Sequence, residues 1–316
     1  MTDPILAVED LTVRYGGARG ATTAVNGVSF EVARGEVFGL VGESGSGKSS
    51  VCGAVMRLLP RSAHVGGTIC FDGKDLVQVG ERTMRAVRGR RIALLPQQPM
   101  TSLSPTSTIG RQMGWYLGDV MHDDAVRDTL VSIGLGPVMD RSDALPQALS
   151  GGQLQRLLIA IASLAHRPSL LLADEPTTTL DATVQAQVLR LLLDMRTELG
   201  LSILYVSHDL AVIAQMCDRV GVMYGARLVE VAGVVDLFDS PKHPYTQALI
   251  AAMPSSSPRH ERLRAIPGVA AGANRLPGCP FAPRCPRADE LCRTTMPEPE
   301  VIGATTVRCH HVEAGS

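Results

Sequence analysis

The sequence lacks the features that would direct a chain across a membrane, into a secretory route or onto a nucleic acid. Its longest apolar runs, such as SLLLAD and LRLLLDM, meet charged residues well before the ~20 apolar residues that cross a bilayer. The stretch MTDPILAVEDLTVRY contains no basic segment followed by an apolar one, the usual pattern of a secretory leader. Basic and acidic side chains nearly cancel, 30 against 31, so the chain has no general attraction for nucleic acid phosphates. We therefore expect a cytoplasmic protein whose partners do not include nucleic acid.

The order of strand-like and helix-like segments predicts an α/β fold. Hydrophobic residues make up 45% of the 316 residues, enough for a well-packed core. The first ~70 residues favour strands and turns, and the segment from about Gln98 to Ala148 favours helices. Strand–helix units follow at SLLLADE and SILYVSHD. Strands that alternate with helices indicate a largely parallel sheet that is covered on both faces.

The composition changes after residue 253. Residues 254–316 contain nine of the twenty prolines and show little hydrophobic periodicity. We therefore predict two parts, residues 1–253 and a small Cys- and Pro-rich module at residues 254–316, hereafter the tail module. Its composition suggests that something other than a hydrophobic core holds the tail module together.

The segment GESGSGKS matches the phosphate-binding pattern G-x-x-x-x-G-K-[ST] at every position. It follows an apolar strand and precedes a helix, where backbone N–H groups and the helix N-terminus attract phosphate. We expect Lys48 to reach the outer phosphates of ATP and the Ser49 hydroxyl to bind Mg²⁺. The residues predicted to contact the nucleotide in this segment, hereafter the phosphate loop, are Gly42, Glu43, Ser44, Gly45, Ser46, Gly47, Lys48, Ser49 and Ser50.

Two acidic residues, Asp174 and Glu175, lie at the end of the apolar segment LLLADE. Asp174 is suited to the Mg²⁺ shell, and Glu175 is suited to orienting or deprotonating the attacking water. An Asp-Glu pair alone is weak support, since many strands end in solvated acids. Together with the phosphate loop, the pair predicts ATP hydrolysis.

The segment LSGGQLQR, Leu149 to Arg156, resembles the signature sequence of the ATPase subunits of ABC transporters. The other elements of that family occur in order over residues 5–253. The resemblance implies that Tyr15 stacks on adenine, that Gln97 contacts Mg²⁺ and the attacking water, and that His208 contacts the γ-phosphate. It also implies that Asp181 belongs to the loop that crosses a dimer interface. Thr179 departs from the pattern, because the family commonly has alanine or serine there.

The same resemblance implies an ABC-type ATPase core with a mixed, largely parallel sheet, a β-subdomain and a helical subdomain at about residues 98–150. In this family two ATPase subunits pair head to tail, and the signature of one closes over the ATP of the other. The backbone N–H groups and the serine hydroxyl at the start of the signature helix suit an anion. The signature residues implied to contact ATP in this way are Ser150, Gly151, Gly152 and Gln153.

Four further segments resemble the oligopeptide, dipeptide and nickel importer branch of that family: QQPMTSLSP, VGESGSGKSS, ADEPTTTLDATVQAQV and SPKHPYTQALIAAMP. The branch implies a peripheral subunit on the cytoplasmic face of the membrane that powers import of di- or oligopeptides. Two transmembrane permease subunits, an extracellular solute-binding protein and a second ATPase subunit are the implied partners. The segment VMRLLP resembles the first of two nonidentical ATPase subunits. Import of nickel or a metal chelate is the alternative, and a soluble ABC ATPase is disfavoured by the single cassette without sustained heptads.

Four of the seven cysteines cluster in the last 38 residues, spaced Cys279-x5-Cys285-x6-Cys292-x16-Cys309. Cys52, Cys70 and Cys217 lie in apolar segments and are predicted to be core residues. From the spacing alone, the four tail cysteines predict a thiolate site for an unidentified metal, with free thiols or a disulfide as the alternative. The segment GCPFAPRCP resembles the tail of peptide-importer ATPases, some of which bind a [4Fe–4S] cluster on these cysteines. That resemblance implies an iron–sulfur cluster here, with zinc as the alternative.

Overall fold

The computed structural model describes residues 3–16, 21–119, 123–178, 180–253, 266–270 and 272–312. The strands formed by these residues are β1 (Leu6–Tyr15), β2 (Thr22–Val32), β3 (Val37–Val41), β4 (Ala63–Phe71), β5 (Lys74–Asp75), β6 (Ile92–Leu95), β7 (Leu170–Asp174), β8 (Ser202–Ser207), β9 (Arg219–Tyr224), β10 (Arg227–Gly233), β11 (Glu300–Ile302) and β12 (Thr305–Val307). The α-helices are α1 (Lys48–Val55), α2 (Glu81–Val87), α3 (Ile109–Leu117), α4 (Asp124–Ser132), α5 (Gly136–Met139), α6 (Gly151–Leu164), α7 (Ala182–Leu199), α8 (Leu210–Met216), α9 (Val234–Asp239), α10 (Pro244–Ala251) and α11 (Glu290–Thr294). No helix in the described part of the chain is long and apolar enough to cross a membrane.

The chain forms two compact units. The first contains the described residues up to Val79 and those from Tyr205 onwards, and the second contains Gly80–Leu204. The described part of the tail module therefore belongs to the same unit as the phosphate loop. The predicted boundary at Pro254 lies outside the described residues, so the division at residue 253 stays a prediction.

An antiparallel sheet of the first unit has the strand order β2-β1-β4-β5. Strands β4 and β5 form a hairpin, in which Phe71 pairs with Lys74 across the turn Asp72–Gly73. Both turn residues have positive φ angles, 48° at Asp72 and 76° at Gly73, as an Asp-Gly hairpin turn requires.

A second sheet of the first unit contains the strands β11-β12-β10-β9-β3 in that order. β3 and β9 are parallel, β10 and β12 are antiparallel to their neighbours, and all five residues of β3 are buried. The tail strand β12 pairs with β10, and Val307 on β12 is fully buried. The structure differs here from the expectation of a tail without a core, because edge pairing and buried apolar side chains attach the tail module to this sheet.

The second unit contains the predicted helical segment and the acidic strand. Helices α3, α4 and α5 lie in the region between Gln98 and Ala148, which was predicted to be helical. Strands β6 and β7 are parallel, with Ile92 opposite Leu170. The first four residues of β7 are buried and Asp174 is partly exposed, so the strand carries its acidic end out of the core. β8 begins in this unit and ends in the first.

Candidate functional site

The phosphate loop joins buried strand β3 to helix α1 and is closed by its own lysine. Lys48 is 4% exposed, and its ammonium donates to the carbonyl oxygens of Gly42 (2.7 Å) and Glu43 (3.1 Å). Ser44 and Gly45 are exposed at the rim of the loop, whereas Ser46 is buried. The loop therefore curves around the Lys48 ammonium, and its residues Ser44 and Gly45 face the solvent.

Glycine is required at two positions of the loop. Gly47, the N-cap of α1, has a φ of 106°, a conformation that other residues rarely adopt. A Cβ on Gly47 would overlap the carbonyl oxygen of Ala24, and one on Gly42 would overlap the carbonyl oxygen of Met223. The backbone of neighbouring strands thus approaches the loop so closely that a side chain at either position would displace it.

Two further predicted residues lie in the first unit. The Tyr15 hydroxyl, at the end of β1, is 3.1 Å from the hydroxyl of Ser50 on α1, beside the phosphate loop. His208 is exposed in the turn between β8 and α8. Asp209 caps α8 by accepting a hydrogen bond from the N–H of Ala211 (2.8 Å), which holds this turn at the helix start.

The second unit brings Gln97 and Glu175 together. The Gln97 side-chain amide donates to Glu175 Oε2 over 3.2 Å, and the Thr178 hydroxyl donates to the same oxygen over 3.1 Å. Glu175 has a φ of 49°, an uncommon backbone conformation for a non-glycine residue. The carboxylate that follows β7 is therefore fixed by two donors, one of which, Thr178, was not predicted. Thr179 lies outside the described residues.

The signature segment begins helix α6 with a complete cap. Ser150 accepts from the N–H of Gln153 (3.3 Å), and the Gln153 side chain accepts from the N–H of Ser150 (2.9 Å), so the two form a capping box. A Cβ on Gly152 would overlap Val184 of α7. Asp181 caps α7 by accepting from the N–H of Val184 (3.0 Å). The signature and Asp181 thus occupy adjoining helix starts, where free backbone N–H groups attract anions.

The four tail cysteines line one cavity. None of the four forms a disulfide; Cys279 and Cys292 are buried, and Cys285 and Cys309 are partly exposed. Burial raises the pKa of Cys279 to about 11, and burial also raises the pKa values of Cys292 and Cys309.

A tighter group of potential metal ligands lies at the edge of this cavity. The ligand atoms of Asp289, Cys292 and His311 lie within 4.8 Å of one another, and within the described residues no three of the cysteine sulfur atoms lie that close. The His311 imidazole is 3.0 Å from the Asp289 carboxylate. His310 bonds through Nε2 to the carbonyl oxygen of Thr295 (2.9 Å), away from this group.

His243 also lines the cysteine cavity and was not predicted to be part of it. It is 1% exposed, and its Nδ1 accepts from the N–H of Tyr245 (3.0 Å), so it caps helix α10. Its Nε2 is buried without a hydrogen-bond partner among the described residues. Burial lowers the pKa of His243 to about 3, so the ring is neutral and carries its proton on Nε2. The dipeptide HP before an apolar helix was the only sequence signal for this cap.

Arg284 is the second residue that the sequence did not identify. It lies in the short turn Ala282–Arg284, directly before Cys285, and its side chain is 7% exposed. Its Nη1 donates to both carboxylate oxygens of Glu43 in the phosphate loop, each over 3.0 Å. The cysteine cavity and the phosphate loop are thus joined by one side chain.

Comparison with known proteins gives two family matches within this chain. Residues 25–178 match the ABC transporter family, and residues 229–292 match the family of the oligopeptide/dipeptide transporter C-terminal region. The first match contains the phosphate loop, the signature and the acidic strand end. The second contains His243, Arg284 and three of the four tail cysteines.

Similar proteins extend the match over nearly the whole chain. The probable peptide ABC transporter ATP-binding protein y4tR of Sinorhizobium fredii is 46% identical, over 93% of this chain and 91% of that protein. The dipeptide transport ATP-binding protein DppD of Haemophilus influenzae is 40% identical, over 97% and 95%. Among solved structures, cbiO1 of Clostridium perfringens, part of the ABC transporter complex cbiONQ, aligns with a TM-score of 0.63 at 28% identity, over 76% of this chain and 92% of that one. The fold is therefore that of an ABC cassette, as the sequence predicted.

Proposed function

This chain belongs to the family of ABC transporter ATP-binding proteins, and we propose that it is the ATP-hydrolysing subunit of an importer for di- or oligopeptides. One observation carries the proposal. The match to peptide transport ATP-binding proteins covers more than 90% of the chain and includes the tail module, which matches the oligopeptide/dipeptide transporter C-terminal region. The cargo would touch other subunits, so the proposed cargo rests on these relatives and not on a pocket of this chain.

The phosphate loop is proposed to bind the ATP phosphates. Lys48 would exchange the carbonyl oxygens of Gly42 and Glu43 for phosphate oxygens, and the loop N–H groups would supply the remaining donors. Ser49 and Asp174 are proposed to hold Mg²⁺, which when bound neutralises charge on the phosphates. Tyr15, close to the start of α1, is proposed to stack on adenine.

Glu175 is the proposed catalytic residue. The donors from Gln97 and Thr178 orient its carboxylate, and a carboxylate that positions and deprotonates the attacking water must be oriented in this way. Gln97 would contact the same water and Mg²⁺, and His208 would contact the γ-phosphate. The uncommon backbone conformation of Glu175 supports this role, because such residues occur often at active sites.

The signature helix is proposed to act on the ATP of a second ATPase subunit. Ser150, Gly151, Gly152 and Gln153 form the start of α6, a 14-residue helix whose free N–H groups suit a phosphate. Asp181 at the adjoining helix start would lie at the same interface. ATP would therefore stabilise a head-to-tail dimer, here with a nonidentical partner, and hydrolysis would release it.

The remaining proposed partners lie in and outside the membrane. Trp115 and Tyr116 on α3 are 56% and 45% exposed, and aromatic residues are enriched in protein interfaces. We propose that this helical segment docks one of two permease subunits. The chain would then be held at the cytoplasmic face of the membrane, and an extracellular solute-binding protein would deliver the peptide.

The tail module is proposed to bind a [4Fe–4S] cluster through Cys279, Cys285, Cys292 and Cys309. Four thiolates about 2.3 Å from one zinc ion would lie about 4 Å apart, whereas no three of these cysteine sulfurs lie within 4.8 Å of one another although they line one cavity. The unpartnered Nε2–H of His243 supplies a donor suited to a sulfide or thiolate. When bound, a cluster would crosslink the four tail segments. Zinc remains the alternative, supported by the close group of Asp289, Cys292 and His311.

Metal analysis distinguishes these two groups. The chain is purified without oxygen, and iron, acid-labile sulfide and zinc are measured per chain for the wild type and for Cys285→Ser. We expect about four iron and four sulfide in the wild type, loss of both in Cys285→Ser, and retained MgATP binding in that variant. About one zinc without iron would contradict the cluster and favour the zinc alternative.

Uptake measurements test the cargo. Cells that lack this chain are complemented with the wild type or with Lys48→Ala, and uptake of a labelled dipeptide and of ⁶³Ni²⁺ is followed. We expect dipeptide uptake to be restored by the wild type only, with nickel uptake equal in all strains. Restoration of nickel uptake without any effect on the dipeptide would overturn the peptide assignment.

A further inference from the structure

The Arg284 guanidinium forms hydrogen bonds with protein acceptors in place of the water molecules that an exposed arginine would contact. In addition to both oxygens of Glu43, it donates to the Tyr224 hydroxyl (3.1 Å) and, through Nε and Nη2, to the carbonyl oxygens of Pro267 (2.7 Å) and Ile266 (3.3 Å). The group is nearly buried, so its charge is compensated by Glu43 and not by water. Such a buried, charge-assisted contact holds both partners in place far more firmly than an exposed ion pair.

Glu43 is the point at which the tail module meets the phosphate loop. Its carboxylate binds Arg284, its N–H donates to the Tyr245 hydroxyl (3.1 Å), and its carbonyl oxygen accepts from the Lys48 ammonium (3.1 Å). Glu43 therefore has three hydrogen-bonding partners, and two of them, Arg284 and Tyr245, lie outside the loop. Because Lys48 contacts the Glu43 carbonyl directly, a displacement of Glu43 also displaces an acceptor of the lysine proposed to bind phosphate.

The same short turn carries both the contact to the loop and one of the cavity cysteines. Arg284 and Cys285 are consecutive, and the turn is closed by the hydrogen bond from the N–H of Arg284 to the carbonyl oxygen of Phe281 (2.9 Å). Phe281 packs against Tyr224 and Tyr245, with ring centroids 5.3 and 5.4 Å apart. These rigid aromatic contacts leave little freedom between the turn and the loop.

We propose that Arg284 is a positioning residue of the phosphate loop, and that through it the state of the four-cysteine site sets the affinity of the loop for MgATP. The inference rests on the proposed nucleotide role of the loop. Occupation of the cysteine site would fix the turn that contains Cys285, and the turn would hold Glu43 in the position that the bound nucleotide requires. Loss of the bound group would release the turn and weaken nucleotide binding.

A double-mutant cycle on the intact chain tests the contact. The variants are Arg284→Met, Glu43→Gln and the double variant, and MgATP affinity is measured by displacement of a fluorescent ATP analogue. Arg293→Met is the matched control, because Arg293 forms an exposed ion pair with Glu290 on α11 of the same tail module (3.8 Å, 59% and 81% exposed). Glu43→Gln keeps the shape of the loop side chain, so the test stands even if Arg284→Met fails to fold.

We expect each single variant to raise the Kd for MgATP by about five- to tenfold, as loss of one charge-assisted contact would. The double variant should be no weaker than the weaker single variant, because both remove the same contact. For Arg284→Met, the KM for ATP should rise while kcat at saturating ATP stays within about twofold, since Arg284 positions the loop and does not touch the reacting atoms. Kd values equal to that of Arg293→Met and the wild type, or additive effects, would refute the positioning role.

A second comparison tests the coupling to the cysteine site. Cys285→Ser is introduced into the wild type and into Arg284→Met. We expect it to raise the Kd about threefold in the wild type and not at all in Arg284→Met, because the connecting side chain is already absent. An equal effect in both backgrounds, or no effect in either, overturns the coupling.

Lys48→Ala separates failure of this inference from failure of the proposed nucleotide role. If Lys48→Ala abolishes tight MgATP binding while Arg284→Met and Glu43→Gln bind like the wild type, only the inference about Arg284 is lost. If Lys48→Ala binds MgATP like the wild type, the loop does not hold the phosphates and both conclusions fall.

Discussion

Acidification should destabilise this protein through one buried imidazole, that of His243. Burial lowers the pKa of His243 from 6.5 to about 3, because the ring is fully enclosed and its Nε2 has no partner among the described residues. Below pH 6.5 the unfolded chain therefore binds a proton that the folded chain excludes. Stability is fully present above pH 6.5 and falls as the pH drops towards 3.

The size of this loss of stability follows from the difference between the two pKa values of His243, 6.5 in the unfolded chain and about 3 in the folded one. Each pH unit between the two pKa values is worth about 1.4 kcal/mol, so a change from pH 6.5 to pH 5 should cost about 2 kcal/mol of the free energy of unfolding. His243→Asn is the matched variant, because an asparagine oxygen can accept from the N–H of Tyr245 at the start of α10 without titrating. The neighbouring Glu230, whose pKa is raised by burial, titrates in both proteins and cancels in the comparison.

Urea unfolding at several pH values between 5 and 7.5, followed by circular dichroism, gives the measurement. Both proteins are depleted of metal first, so that acid release of a bound group does not contribute. We expect the wild type to lose about 2 kcal/mol more than His243→Asn between pH 7.5 and pH 5. Equal losses in the two proteins would refute the argument that His243 is held neutral by burial.

Three further substitutions test the nucleotide site. Glu175→Gln should keep ATP binding but lower the rate of hydrolysis by more than about 100-fold, and gel filtration with the partner ATPase should show a trapped dimer; rapid turnover would exclude Glu175 as catalytic residue. Lys48→Ala should abolish tight MgATP binding in a calorimetric titration, and an unchanged Kd would contradict its role. Gly47→Ala should lower the midpoint of thermal unfolding far more than Gly45→Ala. Both glycines have a positive φ, but of the two only a Cβ at Gly47 would overlap a backbone atom, the Ala24 carbonyl oxygen. Similar midpoints for the two variants would contradict this close approach.

Features that depend on neighbouring residues could be predicted from the sequence. The hairpin turn Asp72–Gly73, the helix start at Ser150 and the loop between β3 and α1 each depend on the conformational preferences of a few consecutive residues. The pattern alone therefore predicts the positions of the glycines and the lysine of the phosphate loop and their phosphate-binding role. The order of strand-like and helix-like segments predicted the α/β class, the resemblance to the ABC family implied the cassette fold, and the solved structure of cbiO1 confirms it.

Contacts between distant parts of the chain were decided only by the tertiary structure. Arg284 lies 241 residues after Glu43, and Gln97 lies 78 residues before Glu175. Neither hydrophobic periodicity nor residue type predicts such pairs. The first pair depends on how the tail module packs beside β3 and β9, and the second depends on how the ends of β6 and β7 align. The burial of His243, which lowers its pKa, is likewise a property of the packed core. The sequence by itself determined the fold and the segments predicted to bind nucleotide, because local preferences and family motifs encode them. The link from the cysteine cavity to the phosphate loop was decided only by the tertiary structure, because folding brings Arg284 and Glu43 within hydrogen-bond distance.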